Sequence, residues 1–154
     1  MKGCEHDPGH LGSTESGTEN FWVVAEKLSS LTERERISGI RSGFEITWLF
    51  AAKEALGLDD SAIASFADIS VKTLRRRLKG RALLSPTTSE RFDRLAQLTV
   101  NTEDVFETRS AARDWMITPN DALGSSAPLY LCKTEIGGRQ VRRALHAIEW
   151  GCVV

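Results

Sequence analysis

Between Ser70 and Arg81 the chain carries Lys72, Arg75, Arg76, Arg77, Lys79 and Arg81, with no acidic residue among them. Cations clustered in this way displace counterions from phosphates, and an arginine fork can donate two hydrogen bonds to one guanine. The whole chain has a net charge of −1, so the positive charge is local to this stretch. On a helix beginning after Ser70, the first residues meet base edges and the flanking ones meet the backbone. Val71, Lys72, Thr73 and Arg76 are therefore the candidates for the groove, with Arg76 suited to guanine and Thr73 to a thymine methyl. Arg75, Lys79 and Arg81 are assigned to phosphates, and Ser70 and Arg77 complete the DNA-binding set. A solvated basic face on an ordinary helix is the alternative, and the surrounding apolar spacing argues against it.

That spacing is the layout of a helix-turn-helix. Asp60 or Ser61 can cap a short helix through Phe66, and Ala67-Asp68-Ile69 makes a tight turn. Ser70 then caps a second helix to about Lys79, ended by Gly80. Ile63, Ala64, Ile69, Leu74 and Leu78 are spaced to face one small core. Ala64 lets the two helices cross closely, and Asp68 stands where a left-handed residue is wanted.

The last third has a different texture. Trp115, Pro119, Asn120, Leu123, Pro128, Thr134, Gly137, Arg142, Leu145, Ile148, Glu149, Trp150, Gly151 and Val154 combine apolar groups with helix breakers. Pro119 disfavours helix at Thr118, Asn120 and Thr134 can cap, and Pro128 suits a first helical turn. Gly137 is read as a backbone geometry closed to other residues. Trp115, Leu123, Leu131 and Leu145 are expected to pack internally. The segment has few residues with which to cover its remaining apolar face, which marks a partner surface. The apolar end Cys152-Val153-Val154 is either tucked into the core or inserted into a partner.

The elements that position these residues are predicted to be helical throughout, with almost no strand alternation. Phe21–Leu31 is an amphipathic helix. Thr32 with Glu35 forms a capping box for a helix ending near Gly43, and Phe44–Leu56 ends at Gly57. Ser85-Pro86 opens a new unit, with Thr87 and Glu90 fitting another capping box. Short helices follow at Thr102–Glu107 and Ser110–Met116, and a last one runs from about Gly138 to Trp150. Residues 1–19 are rich in Gly, Ser, Thr and Glu, so their composition predicts a mobile tail. The organisation expected is tail 1–19, a helix-turn-helix domain 20–84 and a helical partner-binding domain 85–154. Three widely spaced cysteines, the lack of a signal-peptide pattern and the lack of a membrane-length apolar run predict a cytoplasmic protein that contacts no membrane.

From about Leu31 onward the chain resembles the Xre/MbcA/ParS antitoxins, partners of RES-domain toxins. The resemblance is most specific in Trp115-Met-Ile-Thr-Pro119-Asn120-Asp-Ala-Leu123-Gly124, in Pro128-Leu129-Tyr-Leu131 and Thr134-Glu135-Ile-Gly137, and in Leu145-His-Ala-Ile148-Glu149-Trp-Gly151. Ile69 to Leu78 looks like the family's helix-turn-helix. Cys132 stands where Leu is usual, and Ser125 where Gly is common. The resemblance implies an all-α type II antitoxin whose C-terminal domain binds and inhibits an NAD-degrading toxin by covering its active site. It also implies autorepression of the operon through operator DNA, by a homodimer. Glu149, Trp150 and the Val154 carboxylate would lie near the toxin's arginine-containing cleft.

A short helix-turn-helix reads few base pairs, which independently favours two copies. The crowded Trp48-Leu49-Phe50 is either part of an interface or the face of a buried central helix. The alternative to an antitoxin is a stand-alone helix-turn-helix regulator with a C-terminal dimerisation or ligand domain. No phosphate-cradling glycine loop, nucleophile elbow or paired carboxylate suggests an enzyme, and no cofactor is implied. Cys4, His6, Asp7 and His10 have metal-ligand types but lack the two separated ligand pairs of a structural zinc site, so no metal is expected. His146 is read as a packed or surface residue.

Overall fold

Local capping sets most of the helix boundaries. The computed structural model describes residues 20–151. Helix α1 (Phe21–Ser30) starts where the Asn20 side chain accepts from the Trp22 N–H. Helix α2 (Glu33–Ser42) opens with the expected capping box: Thr32 and Glu35 each accept the other's backbone N–H. Helix α3 (Ile46–Leu56) ends at left-handed Gly57. Helices α4 (Asp60–Ala67) and α5 (Val71–Lys79) follow, joined through Asp68 at φ 59°. Helix α6 (Pro86–Phe106) is the longest, and α7 (Arg109–Ile117) is short. A single 3₁₀ turn (Asp121–Leu123), the four-residue α8 (Pro128–Leu131) and α9 (Glu135–Glu149) complete the described chain.

Several expectations are corrected. The cap of α4 is Asp59, whose carboxylate accepts from the Ala62 N–H at 2.7 Å; neither Asp60 nor Ser61 caps it. The cap of α6 is Ser85, accepting from Thr88 at 3.1 Å, because Pro86 occupies the first helical position; Thr87 and Glu90 lie inside the helix. Residues 102–106 do not form a separate helix. The apolar stripe of α6 continues through them, and the Thr99 and Thr102 hydroxyls donate back to the Leu95 and Leu98 carbonyls. Helix α9 begins at Glu135 behind the Thr134 cap, three residues before Gly138. The predicted tail 1–19 lies outside the described residues.

α6 is the post around which the rest is built. Helices α1, α2, α7 and α9 all pack on it. Phe92, fully buried, holds Phe21, Phe44 and Trp48 at ring-centroid distances of 5.8, 6.0 and 6.2 Å. Asp93 receives a bidentate hydrogen bond from Arg36 of α2, and the Ser89 hydroxyl accepts from the Phe44 N–H. α3 packs on α1, α4, α5 and α7, and α8 packs on α7 and α9. One apolar cluster runs from Phe21 through Phe92 to Leu145. Within α3, Leu49 is buried whereas Trp48 and Phe50 are half-buried. The point between Leu84 and Ser85 falls at the cap of α6, so α6 supplies side chains to both sides of it. Among the described residues no helix is long and apolar enough to cross a membrane.

Gly137 does not take a left-handed conformation; it is buried in the first turn of α9. Its need for glycine is a close approach. A Cβ there would overlap the Leu131 carbonyl oxygen and lie 2.8 Å from the carbonyl carbon. That neighbour is backbone and cannot swing aside. Gly137→Ala should therefore lower stability by about 1–3 kcal/mol, despite the better helix propensity of alanine. A chemical denaturation midpoint equal to or above that of the unmodified chain would show that α8 and α9 are not packed this tightly.

Candidate nucleic-acid and partner interfaces

The α4–α5 pair forms the compact corner that the spacing predicts. Ile63, Ala64 and Leu74 are buried between the helices, and Ile69 and Leu78 pack partly buried against them. The Ser70 hydroxyl accepts from the Thr73 N–H at 3.1 Å and fixes where α5 begins. Along α5, Lys72, Arg75, Arg76 and Lys79 are exposed, as is Arg81 beyond it; Val71, Thr73 and Arg77 are half-buried. Lys72, Arg76 and Lys79 recur at i, i+4 and i+7 and so share one helix face. Among the described residues no carboxylate lies within ion-pair reach of these three.

Arg75 stands apart. Its guanidinium donates to Asp60 Oδ2 from Nε at 3.1 Å and from Nη2 at 2.9 Å. Asp60 also takes Lys53 at 2.9 Å. Hydrogen bonds from Lys53 and then Arg75 hold the Asp60 carboxyl below the usual carboxylate range. The Asp60 tether was invisible in the sequence because Asp60 looked like a cap. Once Asp59 caps α4, Asp60 is left to turn toward α3 and α5.

The C-terminal candidates separate into two groups. Leu123, Pro128, Gly137 and Leu145 are buried and shape the unit from within. Trp115 is half-buried and stacks on Phe106 at 5.7 Å. Asn120 caps the 3₁₀ turn, and Thr134 caps α9. Pro119 is exposed in the connecting loop. Ile148, Glu149, Trp150 and Gly151 are exposed at the far end of α9, with Trp150 at 71 %. Val154 lies outside the described residues. A shallow, mostly apolar groove beside Trp150 is lined by Arg142, Arg143, His146 and Ala147. His146, on the surface, sits 5.8 Å from the Trp150 ring.

The sequence reading missed Ile136, exposed at 70 %. Ile136 and Arg143 on α9 and Trp150 at its C-terminal cap recur every seven residues, and this spacing was the available signal. It also missed Arg94. This guanidinium is buried against α9, where its Nη1 donates to the Cys132 carbonyl at 2.9 Å, Nε to Glu135 at 3.2 Å and Nη2 to Glu90 at 2.9 Å. Gly138 makes room for the arginine stem, since a Cβ there would meet Arg94 Cδ at 2.7 Å. Arg142 reaches the same Glu135 at 3.2 Å. Cys132, buried beside this clamp, has its thiol pushed up to about 12 by burial and so carries no thiolate chemistry. Among the described residues no group of His, Cys, Asp and Glu converges to hold a metal ion; Cys4, His6, Asp7 and His10 lie outside them.

Two family models match the chain. Residues 35–97 match the antitoxin Xre-like helix-turn-helix domain, and residues 102–151 match the antitoxin Xre/MbcA/ParS C-terminal toxin-binding domain. A curated relative from Pseudomonas putida, "Antitoxin Xre", is 29 % identical over 112 residues, covering 73 % of this chain and 69 % of its own length.

The clamp carries a pH signature. Partial burial works to raise the Glu135 carboxyl pKa, but hydrogen bonds from Arg142 and Arg94 outweigh it, and the net shift is downward from 4.5. A depressed carboxyl stabilises the fold above its ordinary value and loses that contribution as pH falls through the lowered one. Glu135→Gln should thus be less stable than the unmodified chain at neutral pH. The gap should begin to narrow only as pH falls below about 4.5 and should close once pH is below the lowered folded-state value, where both chains carry a neutral group. Denaturation curves across that range check this, and a gap independent of pH would contradict it.

Proposed function

The chain belongs to the Xre/MbcA/ParS antitoxin family, and on that premise we propose that it silences a toxin with its C-terminal helices while α5 holds operator DNA. It is an antitoxin with a helix-turn-helix domain and a toxin-binding domain. The observation that carries the proposal is the position of the toxin-binding match, residues 102–151. It ends at the C-terminus of α9, where Ile148, Glu149 and the capping Trp150 stand uncovered.

The proposed partner is a RES-domain, NAD-degrading toxin, encoded beside the antitoxin in a type II pair. The mechanism is steric. Ile148 and Trp150 supply the apolar contact, and an aromatic anchor of this kind dominates the energy of many interfaces. Glu149 supplies acceptors for an arginine-built cleft, where a bidentate charge-assisted contact is strong, and Val154 is assigned to the same proposed contact. Trp115, Pro119, Asn120, Leu123, Pro128, Thr134, Gly137, Arg142, Leu145 and Gly151 belong to the same proposed surface or to the frame under it. Co-expression with the neighbouring toxin gene, followed by affinity capture and a growth assay, tests this. A chain lacking residues 151–154 should capture the toxin more weakly and neutralise it less. Undiminished neutralisation would remove the C-terminus from the toxin's active site.

On the DNA side, autorepression is proposed through Lys72, Thr73 and Arg76 at base edges, with Val71 beside them. Lys79, Arg81 and Arg77 are placed near phosphates, and Ser70 fixes the helix start. Arg75 is placed in a lesser role because Asp60 already occupies it. Arg76→Ala should weaken operator binding by about 1–3 kcal/mol, and Lys79→Ala should shallow the salt dependence. Arg75→Ala should cost less than Arg76→Ala. Toxin capture should survive all three. Fluorescence-anisotropy titrations at several salt concentrations provide the readout; equal losses at positions 75 and 76 would mean that the Asp60 tether opens on DNA.

A further inference from the structure

Helices α3 and α5 stop in the same way, but with different residues at the left-handed position. At the end of α3 the Gly57 N–H donates to the Glu54 carbonyl and the Leu58 N–H to the Lys53 carbonyl, with Gly57 at φ 65°. At the end of α5 the Arg81 N–H donates to the Leu78 carbonyl and the Ala82 N–H to the Arg77 carbonyl, both at 3.0 Å. The left-handed residue of this second stop is Arg81, at φ 50°. Glycine is the usual occupant of that position, because a Cβ crowds the backbone there. A glycine stands next door and is not used for it: Gly80 takes an ordinary right-handed φ of −82°. A Cβ on Gly80 would lie 3.6 Å from the Arg76 carbonyl oxygen, an ordinary contact.

Folding alone therefore favours the reverse order, arginine at 80 and glycine at 81. A cation near a helix C-terminus gains from the helix dipole, but position 80 offers that gain without the strained backbone. The Arg81 side chain is exposed, and among the described residues no carboxylate pairs with it, so no contact within the chain accounts for its place. Its surroundings are the basic face. Gly80 lies four residues after Arg76 and on the same side of the helix, so that side ends in a turn without a side chain. The Arg81 Cα lies within about 8 Å of that of Lys79.

We propose that Gly80-Arg81 seats one strand of a DNA duplex against the end of α5. Gly80 leaves the last turn of the basic face bare, so the sugar–phosphate chain can come close. Arg81, held in its left-handed turn, is the cation that meets the phosphate there. The strain persists because the relaxed order would move the cation and fill the gap. The inference rests on the operator reading and deepens it, naming a backbone contact that fixes how the basic helix lies on DNA and for which fold stability is given up. Backbone contacts carry no sequence information directly, so a mixed-sequence duplex is a sufficient probe.

Four variants of the full-length chain test it, each followed by chemical denaturation and by anisotropy titration of a mixed-sequence duplex at several salt concentrations. Arg81→Gly should denature at an unchanged or higher midpoint, while the slope of log affinity against log salt shallows by about one. Arg81→Lys keeps the charge and should keep the slope. Gly80→Ala should fold at least as well and bind more weakly with the slope retained, since only closeness is lost. The double variant Gly80→Arg/Arg81→Gly has the same composition and net charge. It should be more stable than the unmodified chain and yet bind about fivefold more weakly.

The proposal is overturned if Arg81→Gly keeps its full slope, if Gly80→Ala binds unchanged, or if the double variant binds as tightly as the unmodified chain. A lower denaturation midpoint for Arg81→Gly also overturns it, by giving Arg81 a role in the fold. An unmodified chain that binds no duplex rejects the operator reading and this contact with it. Duplex binding that is indifferent to both positions rejects this contact alone.

Discussion

Phe92 and Arg94 leave α6 two positions apart, about 200° around the helix, and serve opposite neighbours. Phe92 gathers the aromatic rings of α1 and α3. Arg94 grips the carbonyl of Cys132 and the Glu135 carboxylate at the start of α9. The remaining architecture depends on this two-sided burial. With only one face of α6 covered, either the basic helix pair or the C-terminal unit would lose its support. Burial of Arg94 is tolerable because its charge has carboxylate and carbonyl partners; removing them would leave a costly unpaired cation.

Charge is distributed by the same logic. Cations close to packed elements are tied: Arg36 to Asp93, Arg75 to Asp60, and Arg94 to Glu90 and Glu135. Lys72, Arg76 and Lys79 face outward on α5 without carboxylate partners among the described residues. A chain with nearly balanced total charge can in this way present a concentrated positive surface. At the other end, α9 turns Val141, Ala144 and Leu145 inward and leaves Ile136, Ile148 and Trp150 without cover. The two surfaces rest on different helices, so contact at one does not in itself require contact at the other.

What could be read from the chain by itself was whatever depends on near neighbours. Thr32 with Glu35, Ser70, Asn120 and Thr134 act as caps within three residues of themselves, and Asp68 adopts its left-handed turn locally. The apolar spacing of α4 and α5 follows from helical geometry alone. The helix-turn-helix and the all-helical class were therefore legible, as was the outward basic face. Cap choice failed where two candidates competed: Asp59 won over Asp60, and Ser85 over Thr87, because the helix started one or two residues earlier than the apolar pattern suggested.

The tertiary structure decided matters of long sequence separation. Nothing near Arg94 in sequence indicates that Cys132 and Glu135 will meet it. Asp60 meets Arg75 only because α4 folds back on α5. Gly137 is required by the Leu131 carbonyl, an approach between helices, and not by its own φ. The union of 102–106 with the rest of α6 likewise depends on α7 covering that end, where Met116 meets Thr102 and Trp115 packs on Phe106. Local hydrogen bonding is encoded within a turn or two of chain, so residue types reveal it. Which side chains share a buried space depends on how whole helices pack, and that is settled only when the chain has folded.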